Sequence, residues 1–300
     1  MTRTSDSLRV LVLGASGMLG HVLIRVLNTR HDVYGTTQSE RQPTPPLATV
    51  LERGHWIGGV DGCNWPTLEV VIRDIRPDVV VNCIGVIKQK LSTPRTIEAI
   101  TLNSLLPHKI AELCQAIDSR LIHISTDCVF SGNPGTKTLA EKPDAADLYG
   151  ITKRLGEVEY GRTLTLRTGF IGRQLTGSEG LLEWVLSQRG RTITGFVNAV
   201  YSGLTTLALS RVIQALIEDH PSVSGLFQVA STPISKYDLI SRVNFYLNLG
   251  MIVNRDVDFY CDRSLDGSHF TSVTNIRIPS WETMLIELAE DSNFYSFREF

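Results

Sequence analysis

The chain has 300 residues, 42% hydrophobic and 20% charged, with 29 Lys and Arg against 31 Asp and Glu. That length supports a large core, in one two-lobed unit or two small domains, and the net charge of -2 removes a general attraction to nucleic acid or anionic membrane. Cys63, Cys83, Cys114, Cys128 and Cys261 are odd in number, far apart and without a CxxC pair, against a disulfide framework or structural zinc, and no His/Asp/Glu cluster with ligand spacing suggests a metal.

Met1 to Leu8 is polar and lacks the apolar run and small-residue cleavage site of a signal peptide. No stretch reaches the eighteen or so apolar residues of a membrane helix. A reduced, cytoplasmic protein without membrane contact is expected. Arg9 to Leu13 reads as a buried strand and Met18 to Thr29 as the following helix; Asp32 to Thr36 is a second strand. Gln38 to Gly54, with its QPTPPL, reads as a surface excursion. A helix from about Asn64 to Ile75 precedes the strand Asp78 to Cys83. A long helix from Ile97 to Ile117 leads into Leu121 to Ser125, and a helix from Leu148 to Tyr160 into Thr163 to Thr168.

This alternation predicts an α/β fold, a Rossmann-type doubly wound parallel sheet. Beyond Gly169 it loosens. Helices are expected near Leu181–Ser187, Thr205–Asp219, Lys236–Asn248 and Trp281–Glu290, and Gly225 to Ala230 as a strand returning to the main sheet. The division is a dinucleotide-binding domain over residues 1–170 and a smaller, interleaved substrate-binding lobe over 171–300. Trp184, Trp281 and the leucines of LLEWVL read as core or subunit contacts rather than as a ligand box.

Gly14-Ala-Ser-Gly17-Met-Leu-Gly20 follows the first strand and opens the first helix. Glycines there permit a tight turn and close backbone approach to a pyrophosphate, at which the helix N-terminus points its free N–H groups. The strand-before, helix-after context favours a dinucleotide over an ordinary turn, with Gly14, Ser16, Gly17, Met18 and Leu19 facing it. At the end of the second strand an acid would hold the ribose of NAD. This chain has Thr36 and Thr37, with Arg41 shortly after; hydroxyls and a cation suit a 2′-phosphate, so NADPH is preferred and NADH stays open. Asp61 is placed either against the adenine amino group or as a turn former.

Tyr149 and Lys153 lie four apart, on one face of a helix. A neighbouring ammonium lowers a phenol's pKa and fits the pair to general acid–base work on a carbonyl or alcohol oxygen. A YxxxK pair alone is common. Here Ser125-Thr126-Asp127 follows LIHI at the C-terminal end of a strand, where doubly wound sheets build their sites, and offers a hydroxyl to the same oxygen.

With these segments in view, the chain resembles an extended short-chain dehydrogenase/reductase, most of all the dTDP-4-dehydrorhamnose reductase family. LVLGASGMLG, DVVVNCIG, HISTDCVFSG, LYGITKRLGE and LRTGFIG occur in that family's order over roughly the first 170 residues. The resemblance implies a catalytic set of Thr126, Tyr149 and Lys153. Tyr149 is the proton donor, Lys153 lowers its pKa and holds the nicotinamide ribose, and Thr126 steadies the keto oxygen. Cys83, Ile84 and Gly85 would line the cofactor, and Asn103 would order the active site. The implied substrate is a nucleotide-diphospho-4-keto-6-deoxy sugar, and a homodimer is compatible with the fold.

The chain departs from that pattern at Cys128, where the family usually carries an aromatic residue, and in the loop VIKQK. Both fall where the sugar would lie and leave room for a UDP-linked N-acetylated 6-deoxy sugar. A dehydratase would need Glu at the position of Cys128. An epimerase–reductase resembling GDP-fucose synthase uses a cysteine two residues after the catalytic hydroxyl, as Cys128 stands to Thr126, but its histidine is not matched in GFIGRQLTGSEG. The plainer reading of Cys128 is a small buried residue. A non-catalytic, cofactor-binding regulatory subunit is a further reading. For the substrate, Lys88 and Gln89 are placed near the sugar with Asp127, Tyr201 belongs to a substrate loop Val200–Gly203, and Arg263 would grip the diphosphate.

Overall fold

The computed structural model describes residues 7–88 and 95–295; Gln89, expected near the sugar, lies outside them. The first half follows the expected alternation: β1 (Arg9–Leu13), α1 (Gly20–Leu27), β2 (Asp32–Thr36), α2 (Leu47–Val50), β3 (His55–Ile57), α3 (Trp65–Ile75) and β4 (Val79–Asn82). Next come α4 (Thr96–Ala99), a π-helical stretch Ile100–Leu105, α5 (Leu106–Ala116), β5 (Arg120–Ile124), α6 (Leu148–Leu155) and β6 (Thr163–Arg167).

Two boundaries differ from the sequence reading. The segment read as a surface excursion contains α2, whose Val50 is buried with Leu51 in the core. The helix expected to reach Tyr160 stops at Leu155.

The second half is β7 (Phe170–Ile171), α7 (Leu181–Ser187), β8 (Thr192–Tyr201), β9 (Leu204–Thr205), α8 (Thr206–Glu218), β10 (Gly225–Gln228), β11 (Ile234–Ser235), α9 (Lys236–Tyr246), β12 (Ile252–Asp262), α10 (Ser268–Thr274) and α11 (Trp281–Asp291). The sequence reading has no counterpart for β8 and β12. Both have largely exposed stretches, so neither forms the continuous apolar run of a buried parallel strand. Val200 and Tyr201, read as loop, end β8.

Seven strands form the main sheet in the order β10-β6-β5-β4-β1-β2-β3, every pair parallel. The order reverses between β1 and β4, which opens a crevice beyond their carboxyl ends. Alternation along the strands feeds two cores. Val10, Val12, Val79 and Val81 face α1 and α8, while Leu11, Leu13 and Val80 face α3 and α5. Each fully buried leucine or valine stabilises by roughly 1.5–3 kcal/mol, so burial on both faces holds the crevice walls rigid. A second sheet, β11-β8-β12, and α9 stand over the same end.

Candidate active site

The glycine turn leaves β1 at Gly14, whose φ of 87° lies in the left-handed region that a side chain disfavours. At Gly20 a Cβ would collide with the Gly14 carbonyl, so α1 begins tightly against the turn. Ser16 and Gly17 are exposed beyond it. Leu19 is 3% exposed and its side chain packs in the core, which leaves its backbone as the part turned to the glycine turn. The Thr36 hydroxyl accepts the Gly14 N–H at 3.2 Å.

Thr37 also corrects its expectation. Its Oγ1 accepts the Trp56 indole N–H at 2.9 Å and donates to the Ser39 carbonyl at 3.0 Å, so it braces the loop rather than facing a phosphate. Arg41 is exposed. Asp61 takes the turn-forming role: its Oδ1 accepts the Cys63 N–H at 3.0 Å. Gly14 lies against the Cys83 backbone, which brings the glycine turn beside Cys83, Ile84 and Gly85. These exposed backbone groups and the helix N-terminus suit a dinucleotide's pyrophosphate.

Asn103 ties this wall to the catalytic helix. Its Oδ1 accepts the Val86 N–H at 2.9 Å, and its Nδ2 donates to the Val86 carbonyl at 3.1 Å and to Thr152 Oγ1 at 3.3 Å. It sits in the π-helical stretch, a widened turn often associated with functional sites. Asp147 caps α6 by accepting the Gly150 N–H at 3.1 Å, which sets Tyr149 in the first turn and Lys153 one turn on. Lys88 lines the cavity, but its ammonium pairs with Asp147 at 2.9 Å, so it steadies the α6 cap rather than reaching for a sugar.

Two adjacent hydroxyls end β5, and they do different things. Ser125 Oγ donates to Glu157 at 2.7 Å. Both oxygens of Glu157 also accept from Arg167, at 2.7 Å each, in a pair buried to 4% and 5% exposure. Thr126 caps a short turn: its Oγ1 accepts the Cys128 N–H at 3.1 Å and donates to Asp127 Oδ1 at 3.2 Å, and it lies beside Tyr149, whose pKa it pulls down. Ser125 is thus committed to the buried ion pair and Thr126 to Asp127, and both line the cavity with Tyr149.

Burial raises the Tyr149 phenol above its ordinary pKa, Cys128 and Asp127 add to that, and Thr126 opposes it. The lowering expected from Lys153 does not hold for the chain alone: burial dominates, the opposing pull comes from Thr126, and the Lys153 ammonium is turned to the Ile124 carbonyl. The phenol is protonated at neutral pH, the state a proton donor needs. Burial pulls Lys153 down to about 8, and its ammonium donates to the Ile124 carbonyl at 2.7 Å. Burial and Asp127 push Cys128 up to about 12; it remains a neutral thiol.

Tyr149, Thr126, Asp127 and Cys128 open onto a cavity of about 520 Å³. Tyr201 and Arg263 line it. Arg263 donates Nε to the Phe130 carbonyl at 3.0 Å and Nη2 to the Ser131 carbonyl at 3.3 Å, so two of its donors already hold the loop after Thr126. The Tyr201 hydroxyl is buried and has no hydrogen-bond partner among the described residues. Leu181 and Trp184 correct their expectation: both line the cavity, whereas Trp281 is buried and donates to the Thr232 carbonyl.

Sequence reasoning missed Lys236 and the aromatic pair Phe196 and Phe259. Lys236 starts α9, and its Nζ lies 3.9 Å above the Tyr201 ring, in the field of Asp127. The phenyl rings are 4.6 Å apart at the cavity wall. Only the fold brings β8, β12 and α9 to this place, and no local motif marks them.

Residues 8–197 match the family described as RmlD substrate binding domain. The dTDP-4-dehydrorhamnose reductase of Streptomyces griseus is 33% identical over 152 residues, covering 50% of this chain and 43% of that protein, less than half its length. A probable dTDP-4,6-dihydroxy-2-methyloxan-3-one 4-ketoreductase of Streptomyces antibioticus is 29% identical over 259 residues, covering 79% and 76%. Among solved structures, dTDP-4-dehydrorhamnose reductase of Bacillus anthracis str. Ames in complex with NADP superposes with a TM-score of 0.78 at 21% identity, covering 95% and 100%. At that identity the likeness is one of fold.

Proposed function

This chain belongs to the RmlD substrate binding domain family, and from that membership we propose that it reduces the keto group of a nucleotide-linked 4-keto-6-deoxy sugar with NADPH. The observation that carries the reading is the assembly of a protonated Tyr149, the Thr126 hydroxyl and Lys153 between the glycine turn and a cavity of sugar-nucleotide size.

A dinucleotide held at the glycine turn and along Cys83 to Gly85 supplies the hydride. The Thr126 hydroxyl, turned from Asp127 Oδ1 to the substrate, donates to the keto oxygen and holds it at the Tyr149 phenol, which delivers the proton as that oxygen becomes an alcohol. Lys153, anchored under the β5 end, reaches the ribose side and favours the phenolate left behind. NADPH is favoured over NADH because residues 36–39 carry no carboxylate and Arg41 stands exposed beside them. Lys236 and Arg263 supply positive charge for the diphosphate. The sugar is dTDP-linked as in the named relatives or UDP-linked and N-acetylated, serving surface polysaccharide synthesis.

NADPH oxidation followed with dTDP-, UDP- and GDP-linked 4-keto-6-deoxy sugars tests this. Oxidation is expected with one of them and a fall of about 10²-fold or more in Tyr149→Phe. No oxidation with any of them, while NADPH still binds, would overturn the reductase reading in favour of a regulatory role.

A further inference from the structure

The segment that ends the described chain docks against the glycine turn and the start of α1. Tyr295 is 2% exposed and His21 is fully buried. His21 Nε2 lies 2.7 Å from the Tyr295 hydroxyl, and Nδ1 lies 2.7 Å from the Gly17 carbonyl. Around them Arg25 binds Asp291 through both guanidinium nitrogens at 2.5 and 3.1 Å and lies 3.9 Å from the Phe294 ring centre. Arg173, paired with Glu183 at 3.0 Å, lies 4.8 Å from the ring centre of Tyr295.

The direction of each bond follows from chemistry. A carbonyl can only accept, so Nδ1 carries a proton. Burial holds the imidazole pKa down at about 4, so the ring is neutral, Nε2 is an acceptor, and the Tyr295 hydroxyl donates to it. The same Gly17 oxygen also accepts the His21 N–H at 3.3 Å. Because a peptide unit is planar and trans, fixing the Gly17 carbonyl fixes the Met18 N–H on its opposite edge. That N–H belongs to the turn whose free donors face a pyrophosphate.

We propose that Tyr295 and His21 are positioning residues for the dinucleotide: they lock the Gly17–Met18 peptide in the orientation that binds pyrophosphate, so cofactor affinity depends on docking of the C-terminal segment. The proposal rests on the reading of the glycine turn as a dinucleotide site. It predicts reciprocity, since two events that favour one conformation strengthen each other equally. Bound dinucleotide therefore slows opening of the segment around Tyr295.

The test uses the full chain. NADPH and NADH binding are measured by fluorescence, and substrate KM by NADPH oxidation, for wild type, Tyr295→Phe, His21→Leu and His21→Asn. Tyr295→Phe keeps the ring and loses only the hydroxyl; His21→Asn keeps a donor for the Gly17 carbonyl. Dinucleotide affinity is expected to fall about five- to tenfold in Tyr295→Phe and further in His21→Leu, with partial recovery in His21→Asn and substrate KM unchanged. Hydrogen exchange at residues 285–295 should slow when wild type binds dinucleotide and not in Tyr295→Phe. Unchanged affinity in both Tyr295→Phe and His21→Leu, or an equal loss toward dinucleotide and sugar nucleotide, would overturn the inference alone. Failure of wild type to bind either dinucleotide would overturn the functional reading and this inference with it.

Discussion

Lys153 holds the carbonyl of Ile124 at 2.7 Å, so the ammonium of α6 is anchored under the end of β5, one residue before Ser125 and two before Thr126. The bond joins the helix of Tyr149 to the strand that ends before Thr126. It also buries a cation, and burial draws the Lys153 pKa down to about 8 against the pull of Glu157 and Cys83.

That value sets a pH dependence of stability. The folded pKa lies below the unfolded lysine value of about 10.4, so between about pH 8 and 10.4 the unfolded chain holds more protons and this group's contribution rises with pH. Compared with Lys153→Met, wild type should gain stability steadily over that window and show a constant difference below it. Urea unfolding at several pH values reads this directly. A difference that shrinks as pH rises would mean that Lys153 is stabilised as the cation.

The division of labour between the two hydroxyls at the end of β5 predicts two different phenotypes. Thr126→Val should lower kcat by about 10²-fold and cost about 1 kcal/mol of stability, because it also removes the acceptor of the Cys128 N–H. Ser125→Ala should leave kcat within a few-fold and cost about 1–2 kcal/mol, because it removes a donor from the buried Glu157–Arg167 pair. Steady-state kinetics beside chemical denaturation separates them. The reverse pattern would make Ser125 the catalytic hydroxyl.

Cys128 is a neutral thiol pushed up to about 12, which disfavours acid–base work at neutral pH. Cys128→Ala should keep reduction within about fivefold of wild type, the scale of a lost packing contact of ~1 kcal/mol. In D₂O the product should carry no deuterium at the carbon next to the reduced centre. Deuterium there, lost in Cys128→Ala, would restore the epimerase–reductase reading.

Lys236 brings positive charge to the cavity beside Tyr201. Lys236→Met should raise the KM for the nucleotide sugar by about tenfold, in line with one charge-assisted hydrogen bond, and leave dinucleotide binding unchanged. Lys236→Arg should recover part of the loss. An equal KM in Lys236→Met would remove Lys236 from the substrate contacts.

The seven-stranded sheet is largely legible in the sequence because its central strands are short runs buried on both faces: Val79–Asn82 carries the apolar run itself, and Thr163–Arg167 is buried throughout although Thr alternates with Leu. The glycine turn and the Tyr149–Lys153 spacing are legible for the same local reason. Strands β8 and β12 are not, because part of each faces solvent, so neither reads as the continuous apolar run of a buried parallel strand.

The sequence by itself determined the doubly wound sheet, the turn opening α1, and the order in which hydroxyl, phenol and ammonium follow one another. Each is written in periodicity or spacing over a few residues, where backbone preference and burial act on neighbours in the chain. The tertiary structure alone decided that Ser125 turns to Glu157 while Thr126 turns to Asp127, that Thr37 braces Trp56, and that Lys236 enters the cavity. It alone brought Tyr295 to His21 across 274 positions. A side chain's partner depends on where distant segments pack, and a polar atom withdrawn from water takes whichever partner that packing brings within reach.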